Sequence, residues 1–130
     1  LVKEVKKDYF TTIFSIFENG FLISDYHNNI LKLGKKDFRR KKLSNLSKSL
    51  INKLNIIHAK KVNNYSHSEI IYTWTLENLD YDSIIIGPKN INQLKLLTEL
   101  KTNKKKINEI KQSELYTYLN EIQRNWKKNI

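Results

Sequence analysis

The residues best suited to chemistry lie together in Ser83-Ile84-Ile85-Ile86-Gly87-Pro88-Lys89-Asn90-Ile91-Asn92-Gln93-Leu94. An apolar run ends at a Gly-Pro turn, a cation follows, and a helix begins. A helix N-terminus presents free amides and a partial positive charge. Lys89 adds a full charge beside it, so the segment suits a phosphate monoester; an ordinary strand-to-helix turn has the same spacing. Elsewhere the yield is small. His27, His58 and His67 share no metal-ligand spacing; His58 reads as a structural residue beside an apolar stripe and His67 as an exposed residue in a first helical turn. Asp80 and Asp82 flank Tyr81 before a strand, as a turn does. With no Cys there is no thiolate nucleophile or thiolate metal site. The glycines, Gly20, Gly34 and Gly87, form neither GxGxxG nor a GK[ST] loop. No catalytic and no metal-ligating residue is assigned.

Several elements must hold that segment. Tyr9 to Phe17 is aromatic, β-branched and uncharged, which predicts a strand buried on both faces. Glu18-Asn19-Gly20 breaks it, and residues 21–42 read as irregular. Leu43, Leu46, Leu50, Leu54 and Ile57 share one helical face, predicting a single amphipathic helix that ends at Asn63-Asn64. Ser66 and Glu69 have the spacing of a capping box for a helix reaching Asn78. Asp82 to Gly87 reads as a second buried strand. Asn90 caps a helix from Ile91 to about Leu100, with Ile91, Leu94 and Leu97 on one side. A Lys-rich hinge, Lys101 to Lys106, precedes a final helix from Ser113 to Lys127, striped by Leu115, Leu119, Ile122 and Trp126.

The chain has 130 residues and carries 24 Lys+Arg against 13 Asp+Glu, a formal charge of +11. That length suits one domain. Such basicity raises a polyanion-binding module as one reading. However, 21 of the cations are Lys and only three are Arg, while Asn and Ile are equally abundant at 16 and 17. The composition therefore reads as a general bias, and the Lys residues are scattered. Bidentate phosphate clamps favour Arg. No apolar run approaches the ~18 residues that span a bilayer. Neither specific nucleic-acid binding nor membrane insertion is expected, and a cytoplasmic location is.

Two apolar strands joined by a helical crossover predict a βαβ unit and an α/β fold. Two parallel strands cannot cover both faces or both edges. Together with the absence of Met, this predicts part of a larger parallel sheet or barrel, with ligands at the loops after the strand C-termini.

The residues also resemble a known family. Ile84 to Leu97 resembles the last strand and following helix of the aldo-keto reductases, NAD(P)H-dependent oxidoreductases built on a (β/α)8 barrel. Ser66 to Leu79 leading into Tyr81-Asp82-Ser83-Ile84-Ile85-Ile86-Gly87 is similar to their penultimate helix and final strand. Phe14-Ser15-Ile16-Phe17-Glu18-Asn19-Gly20-Phe21-Leu22 resembles the seventh strand and its loop. Asp37-Phe38-Arg39-Arg40 and the final helix fit as well. The likeness is greatest to members found with surface-polysaccharide genes, and spans nearly the whole chain but only the last third or so of a family member.

The resemblance implies a C-terminal fragment of a (β/α)8 TIM barrel, comprising strands 7 and 8 with their helices and the C-terminal helix. Residues 1–130 would be the C-terminal part of one domain, the N-terminal part of the barrel being its partner. It implies NADP(H) as cofactor and a small carbonyl or alcohol substrate for the whole protein. Phe14 would face the nicotinamide; Ser15, Ile16, Phe17 and Gly20 would approach the pyrophosphate. Gly87, Lys89 and Asn90 would form the turn facing the adenosine 2′-phosphate, and Gln93 would reach the adenosine. Ile16 stands where Pro is common, and Leu96 and Leu97 replace an adenine-holding Glu and Asn. The family's catalytic Asp, Tyr, Lys and His have no counterpart here, and Tyr72 and Tyr81 do not match that Tyr. The isolated chain is therefore expected to be inactive. A degenerate relative kept for scaffolding is the further alternative.

Overall fold

The computed structural model describes residues 9–128. In chain order they form β1 (Thr12–Ile13), α1 (Arg39–Ser44), α2 (Lys48–Ala59), α3 (His67–Asn78), β2 (Ser83–Ile84), α4 (Ile91–Leu100), α5 (Lys104–Ile110) and α6 (Glu114–Lys128), with single 3-10 turns at Glu18–Gly20 and Ile30–Lys32. The strands pair in parallel, Thr12 opposite Ser83 and Ile13 opposite Ile84. The architecture is thus α/β, helix-rich, with a parallel pair joined by a helical crossover.

The strands are shorter than the apolar runs predict. Tyr9, Phe10 and Phe14 are 70–76% exposed and Ile85 62%, so the expected burial on both faces is not met. A two-stranded sheet supplies one partner edge per strand, and among the described residues no second layer covers the outer face. Side chains secure the pairing. Asp82 Oδ2 accepts from the Thr11 backbone N–H at 2.7 Å and from its hydroxyl at 2.9 Å, across 71 residues of sequence. Thr12 and Ser83 share a hydroxyl bond of 2.7 Å alongside. Asp82 is a strand clamp, in keeping with its structural reading.

Helix α3 is the centre of the core. The capping box forms: Ser66 Oγ accepts from the Glu69 N–H, and Glu69 Oε2 accepts from the Ser66 N–H at 2.8 Å. Ile70, Ile71, Tyr72, Thr73 and Thr75 are all buried, so α3 is covered nearly all round. Helices α4, α5 and α6 pack against it. Leu97, Leu100, Ile110 and Leu115 complete the cluster. Trp74 donates its indole N–H to Asn120 Oδ1 at 2.9 Å, tying α3 to α6.

The predicted single helix from Leu43 is in fact two. Helix α1 ends at Ser44, and Ser47 caps α2 by accepting from the Leu50 N–H. Ser47 competes for backbone amides better at a cap than inside a helix, which breaks the run between Leu46 and Leu50. The Lys-rich hinge likewise becomes α5, opened by Asn103 Oδ1 accepting from the Lys106 N–H. In α4 the buried side is Leu97 and Leu100; Ile91 and Leu94 are 60% and 42% exposed, contrary to the expected stripe.

Leu100→Ala is therefore expected to cost about 2–5 kcal/mol of unfolding free energy, and Leu94→Ala less than about 0.5 kcal/mol. Urea denaturation of both variants measures the difference.

Candidate functional site

The C-terminal ends of β1 and β2 open onto a cleft of about 220 Å³. Six of the residues singled out from sequence line it: Ser15, Ile16, Phe17, Gly20, Gly87 and Lys89. Phe14 does not. It borders a separate apolar hollow of about 230 Å³ with Ile16, Leu22, Trp74 and Leu119. Asn90 and Gln93 are used locally. Asn90 Oδ1 accepts from the Gln93 N–H at 2.9 Å, and Gln93 Oε1 accepts from the Lys89 N–H at 2.7 Å. Each satisfies an amide of the α4 N-terminus, and the pair fixes the turn that carries Lys89.

The loop leaving β1 is strained. Ser15, Glu18 and Asn19 have φ of 59°, 45° and 56°, and Gly20 has φ of 90°. Left-handed backbone costs an L-residue roughly 1–2 kcal/mol. Three such residues within five positions are held by turn hydrogen bonds, Glu18 N–H to Ser15 O at 2.8 Å and Gly20 N–H to Phe17 O at 2.9 Å. Strain of this kind concentrates where loops shape ligand sites.

The opposite wall includes residues to which sequence reasoning gave no role: Ser24, Tyr26 and Arg39. Tyr26 is buried with Phe21 and Leu33 in a second small core, packed by Leu43 and Leu54. The Arg39 guanidinium lies 4.7 Å from the Tyr26 ring centroid. Asp37 fixes it, accepting from the Arg39 Nε–H at 2.9 Å and from the Arg39 backbone N–H at 2.9 Å. Those bonds hold the Asp37 carboxyl down to about 2. Lys89 Nζ donates to the Tyr26 hydroxyl at 3.4 Å. A hydrogen bond from Ser24, followed by Lys89, lowers the Tyr26 phenol below its usual range. Arg39 and Lys89 thus face one cleft from two sides, with Tyr26 between them. The Asp-x-Arg spacing at Asp37 and Arg39 is the one sequence signal for this wall.

No family model, curated protein or solved structure matches the chain. The site therefore rests on its own geometry.

Lys42, Lys60, Lys106 and Lys111 are each paired with a carboxylate, of Glu18, Glu114, Glu99 and Glu77 in turn. Among the described residues no group of three or more His, Cys, Asp or Glu side chains is placed to hold a metal ion. None of their helices is long and apolar enough to cross a membrane.

Two outcomes follow. Gly20→Ala keeps ordinary contact distances, a Cβ lying 3.4 Å from Tyr26 and 3.5 Å from Arg39, but places an L-residue at φ 90°. Its expected cost is about 1–2 kcal/mol, read as a lower urea midpoint. Asp37 has a folded pKa below its unfolded value, so its contribution is present above about pH 4 and is lost as pH falls toward 2. Asp37→Asn removes that part of the acid dependence, which acid titration of the folded signal measures.

Proposed function

We propose that this chain is the C-terminal, cofactor-binding portion of an NADP(H)-dependent aldo-keto reductase, supplying strands seven and eight of a (β/α)8 barrel and the helices that follow. The observation that carries the reading is the cleft at the C-terminal ends of two parallel strands, where Ser15, Gly20, Gly87 and Lys89 meet. The exposed faces of β1 and β2, with Phe14 and Ile85 uncovered, support a sheet that continues on other strands.

The residues present fit the phosphate-bearing part of the cofactor. Lys89 and Arg39 supply charge, and Ser15 and Ser24 supply hydroxyls. At about 220 Å³ the cleft is too small for a whole dinucleotide, since complete ligand pockets run to ~300–1,000 Å³. When bound, the cofactor supplies a hydride for carbonyl reduction. This chain's share is to bind and orient. Lys89, held between the Gln93 bond at its backbone and the Tyr26 hydroxyl at its tip, discriminates for a terminal phosphate. Arg39, fixed by Asp37, adds a second positive charge to the cleft. No proton donor for the reaction is assigned to the chain.

The test is calorimetric titration of NADPH, NADH and 2′,5′-ADP into the chain, with carbonyl turnover followed in parallel. Saturable binding of NADPH and 2′,5′-ADP, weaker binding of NADH and no turnover are expected. Lys89→Ala and Arg39→Ala are each expected to weaken NADPH binding by about tenfold or more, with the Lys89→Ala loss absent for NADH. Equal affinities for NADPH and NADH, unmoved by Lys89→Ala, would remove the proposal. Tight, length-dependent binding of oligonucleotides in their place would favour the polyanion-binding module.

A further inference from the structure

Three histidines that are far apart in sequence are stacked in one column. The His27 and His58 rings lie 5.2 Å apart at 35°, and His58 and His67 lie 5.2 Å apart at 34°. They come from three places: the segment between Phe21 and Leu33, α2, and the first turn of α3. His67 is half-buried, not exposed as its position suggests. Each ring meets an oxygen through Nε2. His58 donates to the Phe21 carbonyl at 2.8 Å, His67 to the Ile57 carbonyl at 3.3 Å, and His27 to Asn55 Oδ1 at 2.9 Å. Backbone carbonyl oxygens only accept, so neutral His58 and His67 carry their proton on Nε2 and leave Nδ1 bare, while His27 Nε2 lies between Asn55 Oδ1 and, at 3.4 Å, Asn28 Nδ2.

Protonation would not break these bonds. It would add a proton at Nδ1 and a charge to the stack. The His27 side chain is fully buried, and its Nδ1 has no hydrogen-bond partner. A proton there would be a buried donor without an acceptor. Among the described residues the titratable groups facing the column are Asp25 on the Phe21–Leu33 segment, His58 on α2 and His67 on α3; the contacts of Asn28, Asn55 and two carbonyls are neutral. Asp25 Oδ1 lies 3.6 Å from His27 Nε2 and can compensate one positive charge. A second charged ring would face a like charge across 5.2 Å.

We propose that the His27–His58–His67 column is a pH-sensitive clasp that holds the Phe21–Leu33 segment, and with it the Tyr26 wall of the cleft, against α2 and α3 when neutral and releases it on acidification. The clasp bears on the cleft because Tyr26 precedes His27 directly and Phe21, whose carbonyl His58 holds, packs edge-on against Tyr26 at 6.4 Å. The inference goes beyond the cofactor reading and needs none of it.

The direction follows from linkage. Burial, followed by the neighbouring His58, lowers the His67 pKa below its ordinary value. The unfolded or released state then binds more protons at His67, so the contribution of His67 to the clasp is present above its unfolded pKa of about 6.5 and is lost as pH falls below it.

Amide exchange of the chain at pH 7.5 and 5.5, corrected for intrinsic rates, tests this without any ligand. Protection across Phe21–Leu33 is expected to fall by about tenfold or more at pH 5.5, while α4 protection holds. His58→Gln keeps a donor for the Phe21 carbonyl but takes no charge, and is expected to cut that fall to below about threefold. An equal fall in wild type and variant, or none in wild type, would overturn the clasp. Should His58→Gln not fold, the ring titrations of the wild type decide by NMR. Broadened, mutually dependent curves support the clasp, and three independent single-site curves overturn it. Because exchange needs no cofactor, absence of NADPH binding would count against the proposed function alone.

Discussion

The main core and the Lys89 side of the cleft depend on the burial of α3. Its Ile70, Tyr72 and Thr73 are 0–4% exposed, and α4, α5 and α6 each pack on it. A helix covered all round is fixed in rotation and along its axis by many small contacts at once. The chain leaves α3 at Leu79 and enters β2 four residues later. The position of β2, Gly87-Pro88 and Lys89 is therefore inherited from the seat of α3. The capping box at its other end orients His67 in the same rigid frame.

The cleft is built in two different ways. Its Lys89 side is short-range and stiff, a turn closed by Asn90 and Gln93 on the first turn of α4. Its Tyr26 side is long-range, resting on the small Phe21, Tyr26, Leu33 cluster that is separate from the main core. Arg39, anchored by Asp37 and stacked on Tyr26, bridges neighbouring parts of that second wall. A rigid wall facing a more loosely founded one is a common arrangement where a ligand must enter and leave.

The sequence was legible where the signal was local. The capping box at Ser66, the cap at Asn90 and the parallel pairing of two apolar runs all stand as read, whereas the chain bends at Lys89-Asn90 and not at the expected Gly87-Pro88 turn. The Lys89 turn was visible for the same reason: strand, turn, cation and cap lie within twelve residues. The extent of the strands was not legible, because length in a sheet is set by partner strands and not by the run itself. Periodicity ran Leu43 to Ile57 together as one helix, since an apolar stripe does not register that Ser47 turns outward to cap. Tyr26 escaped notice, and Arg39 was noted only within the Asp37 to Arg40 stretch and given no role, because their place in the cleft depends on how residues 21–42 fold back. The histidine column was invisible for the same reason: its members are 9 to 40 residues apart and meet only in three dimensions.

The Thr11–Asp82 clamp closes a loop of 71 residues, whereas α4, α5 and α6 follow one another with short connections. Contacts so distant in sequence form slowly, because the chain between them must be ordered before the contact repays it. The helical core around α3 can assemble from near neighbours, and the strand pair must then find its register on that surface. The cleft needs both strand ends, so it is expected to be the last feature to appear during folding. By the same reasoning it is the first to be lost when the protein begins to open, while the helices behind it still stand.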